Sequence, residues 1–438
     1  ETSEERQKRT THHSYHIRKD YKEVIMIMRI SLFVLTLLQC SSIDAFTTQK
    51  QSRIYHQKGK DQEFGGSFNS RLFSTDDDSA PTKKKKKLGL LTFDLDDTLY
   101  PINVVLGEAN TAFAQAMERF GYSGIGPDEI DKTGRQIRLE EMTPEEAAQL
   151  THTDIRRLAI RRELEKAMLE RKLKEVAEDW ATPVSALADV VIAHAKQWTR
   201  TAVSPSIVDS ILSSWEMERH HAAERQLYPE VLECLAQLKE EHPEMIIGAV
   251  TDGKANPLFM MFTLNKYFDF CCSWEDDQAE RARFFIDLAN VDEKAELSWI
   301  YEAARYKYAE MKNLTDMIAT EMSSSSDGAT SPNKQMLSYP AEYDDLVWIH
   351  VGDDLAYDVG GSSQCGAKTI YCELAERYGQ TARHRFGNPE EQPQWSTSSK
   401  TELENRGRMN QKAEALVNEK IQYLTDLPEA INRILEDS

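Results

Sequence analysis
The chain has 438 residues, 40% of them hydrophobic and 29% charged, with a formal net charge of −20. That length holds a large core and two or three domains, and the composition is that of a soluble globular protein. The acidic balance argues against nucleic acid as a partner, because a phosphate backbone needs a basic face. A small phosphorylated metabolite, met by a few local groups and a metal ion, remains a suitable partner.

The first 87 residues do not read as fold. Met28 is the expected start, which makes 1–27 an upstream extension. Met28-Arg29, the apolar run Ile30 to Leu38 and the small residue Ala45 form a signal-peptide pattern over 28–45, too short for a membrane span. From Phe46 onward Lys50, Arg53, Lys58, Lys60 and Arg71 stand against only Asp61 and Glu63 as far as residue 73, which is transit-peptide composition. Asp76 to Asp78 and Lys83 to Lys87 complete a transit segment and linker over 46–87. A signal followed by a transit segment, with phenylalanine at the junction, resembles the bipartite plastid presequences of algae with complex plastids. The resemblance implies a plastid address and no stable membrane association after its removal. The six cysteines form no CxxC pair, so neither a zinc site nor a disulfide framework is expected.

Four apolar runs follow: Gly89 to Asp94, Met245 to Asp252, Leu346 to Asp353 and Ala367 to Cys372. Continuous runs of this kind suit strands buried on both faces of a parallel sheet, and the helical stretches between them predict α/β architecture. Roughly 140 residues separate the first two runs, far more than an ordinary connection. Ile160, Leu164, Ala167 and Met168 recur there at helical spacing, and Pro183 to Gln197 and Ser206 to Glu218 read as further helices. Residues 101–228 are therefore expected to form an inserted helical cap on a core of 88–100 plus 229–438. The polar, breaker-rich segment 321–340 is expected to be a disordered insertion. Ile421 to Leu424 predicts a last strand, and Pro428 the first turn of a closing helix.

Three of the four runs end in acid, and in open α/β sheets ligands sit beyond the carboxyl ends of the strands. Asp94 is placed to attack a phosphate monoester as nucleophile, and Asp96 to protonate the leaving oxygen and then activate water. Carboxylates crowded together need a hard cation. Magnesium held by Asp94, Asp353 and the backbone carbonyl of Asp96 would meet that need, with Asp358 acting from behind or through water. Thr251 offers a hydroxyl, and the backbone N–H groups of Asp252 and Gly253 can cup phosphate oxygens in a turn whose dihedrals Gly253 tolerates. Lys294 would offset charge on nucleophile and phosphoryl group. Asp97 and Asp354 read as structural.

At these positions the chain resembles the phosphatase branch of the haloacid dehalogenase superfamily, over about 89–120 and 227–431. That resemblance implies a Rossmann-like core with a helical cap, magnesium as cofactor and an aspartyl-phosphate intermediate. Lys294 departs from it, being followed by Ala295 where the family has proline. The segments Leu91 to Tyr100 and His350 to Gly361 are most similar to bacterial flavin-mononucleotide and phosphoribitylamino-uracil phosphatases, which implies a riboflavin-pathway substrate. A nucleotide or sugar-phosphate phosphatase is the alternative. A haloacid dehalogenase proper carries tyrosine where Asp96 stands, and a non-catalytic binding protein would not need the full set of carboxylates.

Overall fold
The computed structural model describes residues 86–143, 146–147, 150–275, 299–312, 346–381, 393 and 396–438. Residues 28–85 of the signal, transit and linker segments, Lys294 and the 321–340 insertion lie outside the described residues. So does the amino-terminal unit Glu1–Ala80; Pro81–Ser438 forms a second compact unit. Lys87, expected to end the linker, opens the first strand because the parallel sheet pairs it with Leu346.

Among the described residues six strands form one all-parallel sheet: β1 (Lys87–Phe93), β2 (Ile246–Thr251), β3 (Phe270–Ser273), β4 (Leu346–Gly352), β5 (Lys368–Cys372) and β6 (Glu419–Ile421). Their order is β3-β2-β1-β4-β5-β6. This is the order of a doubly wound, Rossmann-like sheet, in which the topology reverses between the first and fourth strands and leaves a crevice at their carboxyl ends. The four long apolar runs became β1, β2, β4 and β5 within a residue or two of their expected bounds. The last strand runs Glu419–Ile421, earlier than Ile421 to Leu424, because Leu424–Asp426 winds into a 3-10 turn that leads into the closing helix. Four-residue β3 was not foreseen; Cys271 and Cys272 are strand residues, half-buried and buried respectively.

Helices cover both faces. On one, Leu235 and Leu238 of α6 (Val231–Glu241) and Ile431 and Leu435 of α8 (Leu427–Asp437, with proline in its first turn) pack on Leu91, Phe93, Ile247, Ala249, Ile349 and Val351. On the other, Trp299, Tyr301 and Ala304 of a helix over 299–312, α7, pack on Leu90, Val250 and Cys272. Burial on both sides is why these strands carry apolar residues without alternation.

Between β1 and β2 stands a helical cap: α1 (Ile102–Arg119), α2 (Glu129–Gln136), α3 (His152–Asp179), α4 (Asp189–Ala202) and α5 (Pro205–Arg225). Helix α4 begins later than Pro183 because Val184–Ala186 forms a separate 3-10 turn, and α5 runs on to Arg225. The cap has its own core, in which Phe113 stacks on Trp215 (ring centroids 5.6 Å apart) among Ile130, Ile160, Leu164 and Ile211. Ala167, foreseen in the same stripe, is half-buried. Val105, Ala222 and Ala223 instead join the sheet's core, so α1 and α5 each reach from one core into the other. The chain's exit from the cap is strapped to its entry by Tyr228 N–H donating to the Leu99 carbonyl at 2.9 Å.

Candidate active site
The crevice lies where β1 and β4 pair, with Phe93 beside Val351. One residue beyond β1, the Asp94 N–H still donates to the Val351 carbonyl at 2.9 Å, so the ladder itself orients Asp94. Asp353 follows β4 by one residue, and Asp358 lies in the π-helical turn Leu355–Gly361. The carboxylates of Asp94, Asp353 and Asp358 are buried, with one oxygen of each within 4.8 Å of the others. Burial first, then the charges of Asp358, Asp353, Asp96 and Asp252, push the Asp94 pKa well above the usual carboxylate range. Three hard oxygen donors crowded in this way fit a magnesium ion, whose charge would relieve the repulsion.

Asp358 is gripped from behind. Its Oδ2 accepts the Asp354 N–H at 2.9 Å and its Oδ1 accepts the Tyr301 hydroxyl at 3.0 Å. His350 Nε2 stands 3.4 Å from Oδ1, and its Nδ1 lies 2.8 Å from Thr92 Oγ1, which also accepts the Trp348 indole N–H at 2.9 Å. A Thr92 hydroxyl that donates to Nδ1 leaves an Nε2–H facing Asp358. The carboxyl packs into the space a side chain on Gly352 would take: a Cβ there would lie 2.6 Å from Asp358 Cβ and closer still to its carboxyl group.

Asp96 has a different setting. Its Oδ1 accepts the Tyr100 hydroxyl at 2.7 Å, and its Oδ2 accepts Arg219 Nη2 at 2.6 Å. Burial raises the Asp96 pKa, while Arg219 and then Tyr100 work to lower it. Arg219 belongs to α5, so a cap residue holds a carboxylate of the core. Burial works to lower the Arg219 pKa, but Asp96, Tyr100 and Glu275 outweigh it, and the guanidinium stays charged.

On β2, Thr251 Oγ1 is buried at the strand end and accepts the Gly253 N–H at 3.2 Å. Gly253 is not at positive φ, so the freedom of glycine in the turn is not what places it there. Its reason is proximity: a Cβ would lie 2.8 Å from Arg219 Nη2 and 3.1 Å from Asp96 Oδ2. Asp252 is exposed, and its charge helps to raise the pKa of both Asp94 and Asp96.

Asp97 and Asp354 orient loops. Asp97 has φ 59°, a left-handed conformation that aspartate tolerates better than most residues, and its carboxylate accepts the N–H groups of Ile102 and Thr381, each at 2.9 Å. Asp354 is buried in an ion pair with Arg406 and accepts the Tyr357 N–H at 2.8 Å, which caps the turn carrying Asp358.

Asp94, Asp353 and Asp358 thus form one cluster, with Asp96 tied to Arg219 and lying against Gly253 across from Thr251. Lys294 lies outside the described residues. Sequence reasoning missed Arg219, Tyr301 and His350. Tyr100, four residues after Asp96, could have been read as its partner from that spacing, whereas Arg219 is one charge among many in Glu216 to Arg225.

No family model matches the chain. No curated protein matches it. Solved structures do. A 2-haloacid dehalogenase from Pseudomonas syringae pv. Tomato DC3000 is 17% identical, over 79% of this chain and 99% of its own, with a TM-score of 0.41. The Bacillus subtilis protein YfnB, described as a HAD-hydrolase bound to magnesium, is 12% identical over 79% of this chain and 100% of its own, at 0.30. A HAD phosphatase from Thermococcus onnurineus is 13% identical over 78% and 98%, at 0.29. At these scores no residue role passes from them to this chain. The α/β class rests on the sheet's own strand order.

Proposed function
We propose that the protein is a magnesium-dependent phosphomonoesterase acting on a small phosphorylated metabolite. The observation that carries this reading is the convergence of Asp94, Asp353 and Asp358 at the carboxyl ends of β1 and β4, with Asp96 beside them in a different electrostatic setting. Asp94, Asp353 and Asp358 would hold the cation, which when bound supplies charge neutralisation for carboxylates and phosphate alike. Asp94 attacks phosphorus and forms an aspartyl-phosphate, while Asp96 gives its proton to the departing alkoxide. The ionised Asp96 then takes a proton from water, which attacks the phosphoenzyme and releases phosphate. Arg219 and Tyr100 keep the Asp96 carboxyl aimed and stabilise its ionised form for this second step.

A riboflavin-pathway phosphate is one substrate candidate, supported by the resemblance of the Asp94 and Asp353 segments; nucleotides and sugar phosphates are the others. Lys294 is assigned charge compensation on sequence grounds. The amino-terminal signal and transit pattern supports a plastid address, which a reporter fused to 28–80 would test. The deciding experiment is a phosphate-release screen with magnesium over flavin mononucleotide, phosphoribitylamino-uracil, uridine monophosphate and sugar phosphates. Release abolished by EDTA and by Asp94→Asn is expected. A chain that releases no phosphate, or an Asp94→Asn variant with full activity, would overturn the proposal.

A further inference from the structure
Two cap arginines stand over the leaving-group side of this site. Arg219 touches Asp96, the residue assigned to protonate the departing oxygen, so whatever hangs on that oxygen emerges against it. Arg156, on the neighbouring helix α3, has its guanidinium 4.2 Å from the centroid of Trp215, and Arg219 lies 5.9 Å from the same ring. Trp215 is fixed by Phe113, which stacks on it, and by its indole N–H, which donates to Asn110 at 3.0 Å. The ring is therefore a rigid floor for the arginines.

Neither arginine is satisfied. Nε of Arg156 and Nε of Arg219 are shut off from solvent and have no acceptor. Arg156 makes no hydrogen bond or ion pair at all among the described residues. The acids around it are engaged elsewhere: Asp131 accepts from Asn110 at 2.6 Å, Glu275 accepts from Thr153, and Asp96 is held by Tyr100 and Arg219. A buried guanidinium donor without an acceptor is a costly arrangement, and five N–H groups in a planar fork match an oxyanion better than any other ligand. Solvent reaches this side of the cap, since His152, one turn before Arg156, is exposed, as is Asp252 just after β2.

We propose that Arg156 and Arg219 form an anion-binding subsite for a second negatively charged oxygen group, a carboxylate or a second phosphate, on the leaving group of the substrate. The inference rests on the phosphomonoesterase reading for the direction of the leaving group. It sorts the candidates: flavin mononucleotide, whose leaving group carries no such anion, falls below substrates that do.

The test compares substrate pairs that differ in the second anion: 3-phosphoglycerate with glycerol 3-phosphate for the carboxylate, and fructose 1,6-bisphosphate with fructose 6-phosphate for the phosphate. Affinities are measured by calorimetry on the magnesium-loaded Asp94→Asn chain, and kcat/KM on the parent chain. The second anion is expected to improve binding and kcat/KM by about tenfold or more in at least one pair, the worth of a charge-assisted bond. That advantage should vanish in Arg156→Met, return in part in Arg156→Lys and survive Arg162→Met, which removes an arginine from the outer surface. Equal affinity within both pairs, or an advantage untouched by Arg156→Met and Arg156→Lys, would overturn the subsite. Phosphate released equally from all four compounds would sink the subsite and leave the phosphomonoesterase standing. Anion-selective binding with no phosphate release would do the reverse.

Discussion

Gly352→Ala tests how the acidic cluster is built. The new methyl would lie 2.6 Å from Asp358 Cβ and closer still to its carboxyl atoms. Because Cβ itself is in the way, a change of rotamer cannot clear the clash, and the Leu355–Gly361 turn must move. Asp358 then loses the hydrogen bonds from the Asp354 N–H at 2.9 Å and from the Tyr301 hydroxyl at 3.0 Å. At about 1–1.5 kcal/mol each, the loss is about 2–3 kcal/mol. Displacing an acidic ligand or its support should also weaken magnesium by about 10- to 100-fold. The control is the same substitution in an Asp358→Gly background. No side chain is left there to collide, Gly352 needs no positive φ, and alanine should be neutral or stabilise by about 0.4–1 kcal/mol. Urea denaturation of the four chains of this cycle, in EDTA, should give a coupling above about 2 kcal/mol, well outside the additivity error of about 0.5 kcal/mol. Calorimetric titration with magnesium supplies the second readout. A Gly352→Ala cost that is the same with and without the Asp358 side chain would refute the reasoning.

Two further outcomes follow from the charges. The Asp94 pKa is raised by burial and by neighbouring acids, so in the metal-free protein ionising Asp94 costs stability as pH rises from its unfolded pKa through its folded one. Asp94→Asn should therefore raise the urea midpoint in EDTA at neutral pH, with the gain fading as pH falls toward the ordinary value of 3.8 and with saturating magnesium; a gain of equal size at every pH would contradict this. Removing the guanidinium in Arg219→Met takes away the largest influence that lowers the Asp96 pKa. Breakdown of the phosphoenzyme needs ionised Asp96, so the acid limb of the phosphate-release profile should move to higher pH in that variant and less so in Arg219→Lys; a limb that stays in place would remove Arg219 from this role.

Much of the sheet could be read from the chain because its central strands are buried on both faces, which forces long apolar runs that end where the strand ends. Edge strand β3 needs only Phe270–Ser273, too short to impose a pattern, and β6 is a three-residue edge with Glu419 and Lys420 half-buried and exposed. Cap helix bounds drifted where a 3-10 turn, set by local hydrogen bonds, interrupts a continuous apolar period at Val184–Ala186.

Strand burial and the acid that terminates each run are local properties, so the α/β class, the inserted cap and the aspartates at strand ends are legible in the chain. Long-range packing is what sets strand order 3-2-1-4-5-6 and so brings Asp94 and Asp353 side by side, clasps Asp358 with Tyr301 and a histidine buried behind it, and carries Arg219 of the cap to Asp96. The Tyr301–Asp358 and Arg219–Asp96 pairings join residues 57 and 123 positions apart, and no local propensity encodes which charge among dozens a folded helix will carry to a given carboxylate.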